Sequence, residues 1–173
     1  MRAMRLYVLL SVIALLPAAV SAQSENDTNV VWDVTKAVVF DPTTYAPATL
    51  SYLSMKADWD SSQTLFRNGW VEHNHRFTIS GRSNDLPVSF AEGNRRIRNM
   101  ALRHLQESLI NNVAANVFER VLADKYPQHR KMFKVLSWVE RIAFASYVSY
   151  AASANHLKQA RRNRQLAIEY GYR

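Results

Sequence analysis

From Ala48 onward the apolar positions of the chain recur at helical spacing. Leu50, Leu53, Ala57, Ser61 and Leu65 hold one face at offsets of three and four until Gly69, which suits a helix C-terminal cap. Turn residues (Gly81, Ser83, Asn84, Asp85) then surround a possible extended piece, Phe77-Thr78-Ile79, and Pro87 closes a loop over residues 70–86. Ser89 to Glu92 fits a capping box, and Ile97, Ala101, Leu105, Leu109, Val113, Val117 and Val121 carry a second long helix to Tyr126-Pro127. A third helix starts near Gln128, with Leu136, Val139, Ala143, Ser146, Tyr150 and Ala154 on its core face, and fades at Gly171. Two such helices joined by a short break predict an antiparallel hairpin. The expected fold is mainly α: a three-helix bundle built on that long hairpin, with the helical domain over residues 47–171. The aromatics Trp138, Tyr147 and Tyr150 are expected in its core.

Ahead of the helices, Val30 to Phe40 is rich in β-branched residues, and "DPTTYAP" follows, so residues 23–46 predict an irregular strap or a short strand. The first 22 residues read as an export signal. Arg2 and Arg5 precede the apolar run Leu6 to Leu16, and small residues from Ala18 to Ala22 suit signal peptidase. The run is well short of the ~20 residues that a spanning helix needs. Later segments fit spanning no better. Extending Ile142–Ala154 to sufficient length takes in Lys134, Glu140 and Arg141, each costing ~2.5–3.5 kcal/mol at the bilayer centre.

Composition sharpens this picture. The chain has no cysteine, which excludes thiol catalysis, zinc-thiolate sites and disulfide staples. Its four glycines, at 69, 81, 93 and 171, leave no phosphate-binding loop, and no nucleophile elbow or S-x-x-K occurs; the sequence asks for no cofactor. Loss of the signal removes two arginines and leaves 20 Lys+Arg against 14 Asp+Glu. From Gly93 onward there are fifteen bases and five acids, a balance that suits an anionic membrane surface or an acidic envelope partner. Nucleic acid is not expected to meet an exported chain. Lys158, Arg161, Arg162 and Arg164 form the densest basic cluster and are the candidate contact.

One stretch, Asp58 to His75, concentrates the remaining chemistry. Asp58, Ser61, Ser62 and Leu65 share a helix face, Gly69 turns the chain, and Glu72 and Asn74 are expected to swing back onto a neighbouring helix. Arg95, Arg96, Arg98 or Arg103 of the second helix would then answer the carboxylates. These residues, Asp58 with Ser61-Ser62, then Gly69, Glu72 and Asn74, resemble the D-x-x-[ST]-[ST], G-x-x-E-x-N-P signature of small bacterial helical proteins, most of them membrane-embedded. His75 stands where that pattern has proline. The resemblance implies a helical architecture with a polar cluster at the end of the first helix, and it implies no reaction.

Two kinds of work are open to the cluster. As polar bracing between helices, Asp58, Ser61, Ser62, Glu72 and Asn74 would be structural. As a metal site, His73, His75 and Glu72, with Asp58 and His104 nearby, offer ligands that zinc or iron accepts. The expectation is an exported protein, periplasmic or held at the inner membrane, with a structural or interaction role and without catalysis. A small integral membrane protein with a retained N-terminal anchor and a metal-dependent enzyme are the alternatives.

Overall fold

The computed structural model describes residues 27 to 172; the expected export signal lies outside them. Four α-helices follow one another: α1 (Asp27–Val39), α2 (Pro42–Arg67), α3 (Phe90–Lys125) and α4 (Arg130–Glu169). Single 3-10 turns occur at His75–Phe77 and Pro127–His129. Among the described residues, backbone pairing outside the helices is confined to two isolated antiparallel bridges, Glu72 with Asp85 and Thr78 with Pro87. No helix among them is long and apolar enough to cross a membrane.

The helical bundle is as expected, but the strap ahead of it is helical. In α1 the β-branched residues are kept in helix by burial of Val34 and Val38 at i, i+4, which overrides their local preference. Lys36 adds to this by lying 4.8 Å over the Trp32 ring one turn earlier. Helix α2 begins six residues before the expected Ala48. Asp41 is its N-cap, accepting from the Thr43 amide at 2.9 Å, and Pro42 takes the first helical position, where a missing N–H costs nothing. Helix α3 starts within a residue of the expected capping box. Ser89 Oγ accepts from the Glu92 amide at 3.2 Å, while the Glu92 carboxylate turns instead to Arg95 and Arg96, which hold it at about 2.

Two compact units share these helices. Of the described residues, the first comprises 27–44 together with Leu109–Ala143. Polar contacts tie its helices together. Asn112 Nδ2 donates to Thr44 Oγ1 (2.7 Å) and Thr43 Oγ1 (2.9 Å), and Thr44 Oγ1 donates to the Val38 carbonyl (2.7 Å). Arg141 and Asp41 form an ion pair at 2.9 Å with both side chains largely buried. Ser137 donates to the Ala115 carbonyl and Asn111 to Glu140, two contacts in antiparallel register about the 126–129 turn. The expected hairpin is present.

The second unit comprises Tyr45–Ser108 and the chain from Phe144 onward. It has an apolar core of Met55, Trp59, Phe77, Val88 and Ile97, with Phe66 and Met100 packed against it. The Trp59 ring stacks on Phe77 at 5.3 Å and tilts against Phe66 at 5.6 Å. Gly93 lets that ring approach α3: a Cβ there would lie 2.3 Å from it. The loop between α2 and α3 is tied down by the paired bonds of Glu72 and Asp85 and by the Val88 amide donating to the Phe77 carbonyl (2.8 Å).

Hydrophobic spacing located the helices and, at Leu65, Ile97 and Ala101, the buried side, yet it mistook that side on α4 and along the second half of α3. On α4 the expected core residues Leu136, Val139, Ala143, Ser146 and Tyr150 are exposed, as are Trp138 and Tyr147, while Ser137, Ala145, Ser149 and Asn163 are buried. On α3 the buried line runs through Ser108, Asn112 and Asn116, one position away from the apolar stripe. Small polar residues seal these helix contacts because they allow close backbone approach and hydrogen-bond across the interface.

Candidate functional site

A cavity of ≈ 450 Å³ lies within the second unit. Three segments line it: α2, from Met55 to Phe66; the loop from Trp70 to Phe77; and α4, from Asn155 to Leu166. The stretch Asp58 to His75 therefore meets the last helix of the chain. Trp59, Phe66, Trp70 and Phe77 give the cavity an aromatic wall, and Asp58, Ser62, Glu72, His73 and Asn74 give it a polar one.

The polar wall has two parts. In the first, α2 is bolted to α4. His156 Nδ1 donates to Asp58 Oδ2 at 2.7 Å, and since a carboxylate only accepts, the proton on that nitrogen is fixed by its partner. Asn163, buried, directs its amide nitrogen at Ser62 Oγ (2.8 Å), Asp58 Oδ1 (3.2 Å) and Ser61 Oγ (3.2 Å). Gln159 donates to Asn163 Oδ1 (2.9 Å) and so sets the amide's orientation. Both serine hydroxyls donate back to the Asp58 carbonyl, at 2.8 and 2.9 Å. Asp58 thus has both carboxylate oxygens engaged.

In the second part, Glu72 stays local. Its Oε1 accepts from the Asn74 amide at 2.6 Å, and the His73 amide also donates to the carboxylate. Burial pushes the Glu72 carboxyl above its ordinary value, against the lowering effect of the Asn74 amide; the nearby Asp58 charge pushes it further up. Asn74 caps the 3-10 turn by accepting from the Arg76 amide at 3.1 Å. Glu72 and Asn74 bond to each other's segment and not to a neighbouring helix, so that expectation is corrected.

The arginines expected to answer the carboxylates serve elsewhere. Arg95 and Arg96 bind Glu92, and Arg96 Nη1 also donates to the Arg76 carbonyl at 2.6 Å. Asp58 is answered by His156 and Asn163 of α4, two residues that sequence reasoning missed. A signal for them exists: His156, Gln159 and Asn163 recur at offsets of three and four, a polar stripe on a helix face. Of the basic cluster, Arg162 lines the cavity, while Lys158, Arg161 and Arg164 are exposed and spread around the helix.

The metal set does not assemble. His73 spends Nδ1 as a donor to Asn84 Oδ1, and His75 is exposed at the start of its 3-10 turn, outside the cavity lining. Among the described residues no group of three or more His, Asp or Glu side chains is placed to hold a metal ion.

Comparison with protein-family models, curated proteins and solved structures gives no match. Function is therefore read from the residues themselves.

Proposed function

We propose that this chain is an exported helical protein of the bacterial envelope that acts by binding, without catalysis, and that the cavity of the second unit receives its ligand. One observation carries the reading: the half-buried Glu72 carboxylate and four aromatic rings line the same cavity. Such a site suits a small molecule with a flat apolar body and a cationic or hydrogen-bond-donating head. The head would meet Glu72 and relieve its repulsion with Asp58, and the body would lie against Trp59, Trp70 and Phe66.

Other features support it. The Asp58–His156–Asn163 contacts hold the wall rigid, which lowers the entropic cost of binding. Of the residues that resemble the small bacterial helical proteins, Asp58, Ser62, Glu72 and Asn74 line the cavity. Support for export is in the sequence, in Arg2, Arg5 and the apolar run from Leu6 to Leu16.

Phenethylamine, with 3-phenylpropionate as its anionic counterpart, tests the reading by NMR shifts of the Trp59 and Trp70 indole signals. The amine should saturate the site and the acid should not. Glu72→Gln should weaken the amine by about tenfold or more, the loss expected for a charged hydrogen bond. Affinity should rise with pH as Glu72 ionises. Equal shifts from both compounds, or none from either, would refute the assignment.

A further inference from the structure

The first unit carries a surface that the cavity reading does not use. Along the start of α4, Met132, Val135, Leu136 and Val139 follow at offsets of three, one and three, with Trp138 beside them; all are exposed, Val135 at 58% and Trp138 at 57%. At 100° per residue they share one broad arc of the helix. The opposite side is buried, and it is polar: Ser137 bonds to Ala115, and Arg141 pairs with Asp41. This segment turns its polar side inward and its apolar side outward, the reverse of a helix built only to face water.

Charge decides what covers the arc. Lys125 to Val139 contains four full cations, Lys125, Arg130, Lys131 and Lys134, plus His129, and no Asp or Glu. Arg130, Lys131 and Lys134 make no ion pair among the described residues, and all three are exposed. Lys131 falls within the arc beside Trp138 and Lys134 at its edge, while Arg130 falls on the opposite side, so a second copy laid on this face would bring lysines together at the Trp138 side of its apolar strip. An anionic bilayer answers both features at once, taking the indole and aliphatic side chains into the headgroup boundary while lipid phosphates meet the lysines.

We propose that the outward arc of α4 from Lys131 to Val139 docks this protein on an anionic membrane surface, as a helix lying in the interface and not crossing it. The docking face is thereby moved from the expected cluster at Lys158 to Arg164 into the first unit, and it is independent of the cavity.

Flotation of the full chain with vesicles of phosphatidylcholine alone, and of phosphatidylcholine mixed with phosphatidylglycerol, tests it. Recovery should require the anionic lipid and fall as salt is raised. Lys131→Gln with Lys134→Gln should lower partitioning by about tenfold or more, the effect of two cations near a charged surface. Trp138→Ser with Val139→Ser should lower it comparably, whereas Lys158→Gln with Arg161→Gln and Glu72→Gln should leave it near the parent value. All positions are exposed or outside the core, and circular dichroism confirms that each variant is folded. Acyl-brominated phosphatidylglycerol should quench Trp138, an effect absent in Trp138→Phe. Equal recovery on neutral vesicles, loss only in the Lys158/Arg161 variant, or dimerisation that protects Trp138 without lipid would each overturn the proposal. Retention by an acidic polypeptide with no vesicle binding would do so as well.

Discussion

The two units are built on opposite terms. The second closes around Trp59, Phe77, Val88 and Ile97, an aromatic and aliphatic core that α3 can approach because position 93 is glycine. The first buries few large apolar side chains and is bracketed by Asp41–Arg141, by Asn112 with Thr43 and Thr44, and by Ser137 with the Ala115 carbonyl. Non-directional burial leaves room for a cavity whose wall can be specialised, as Glu72 and Asp58 are. Polar brackets work through geometry and release apolar side chains to the outside, where Val135 and Trp138 lie.

The largest effects should separate these modes of packing. Trp59→Ala removes the centre of the apolar core and should cost about 3–5 kcal/mol in urea unfolding, with loss of amine binding. Asp41→Ala takes the nearer of two carboxylates from the largely buried Arg141, which keeps Glu119 at 4.0 Å and the Ser137 hydroxyl at 2.9 Å, and should cost about 2 kcal/mol. The bracket has a rescue that the core lacks: Asp41→Leu combined with Arg141→Met should recover much of that loss, because a buried ion pair repays little beyond its own desolvation. A double variant no more stable than Asp41→Ala would show that the pair does not act as a separable bracket.

A smaller effect concerns Glu72. Its carboxyl is raised above the ordinary glutamate value of 4.5, so between that value and the raised one the native state binds more protons than the unfolded chain. Stability falls as pH rises through this window. Glu72→Gln should flatten that part of the melting temperature against pH profile and slightly raise the melting temperature at neutral pH. An unchanged profile would mean that Glu72 is not held in a desolvated wall.

Reading the chain from its sequence went well where period alone decides. The positions of α3 and α4, their hairpin and the cap at Ser89 follow from apolar spacing and two turn signals. It went less well where tertiary contacts override local preference. The valines between Asn29 and Phe40 spoke for strand, and burial of Val34 and Val38 made them helix. Asp41-Pro42 was legible as an N-cap followed by proline at the first helical position, yet it also reads as a turn. Ile97 and Ala101 are buried as their spacing implied, but farther along α3 and on α4 the buried face was lost because Ser108, Asn112, Ser137 and Asn163 do at helix contacts what leucine does in an ordinary core. The candidate site was half visible. Asp58 to His75 stood out by residue type, whereas His156 and Asn163 lie about a hundred positions away and no local rule joins them to Asp58.

That junction underlies both the rigid wall and the cavity, and a double-mutant cycle on Asp58→Asn and Asn163→Ala measures it most directly. A coupling free energy in the range of ~0.5–3 kcal/mol is expected for two side chains in one hydrogen-bonded network. Strictly additive losses in stability would contradict the joining of α2 to α4 at this site and, with it, the cavity as a built feature of the protein.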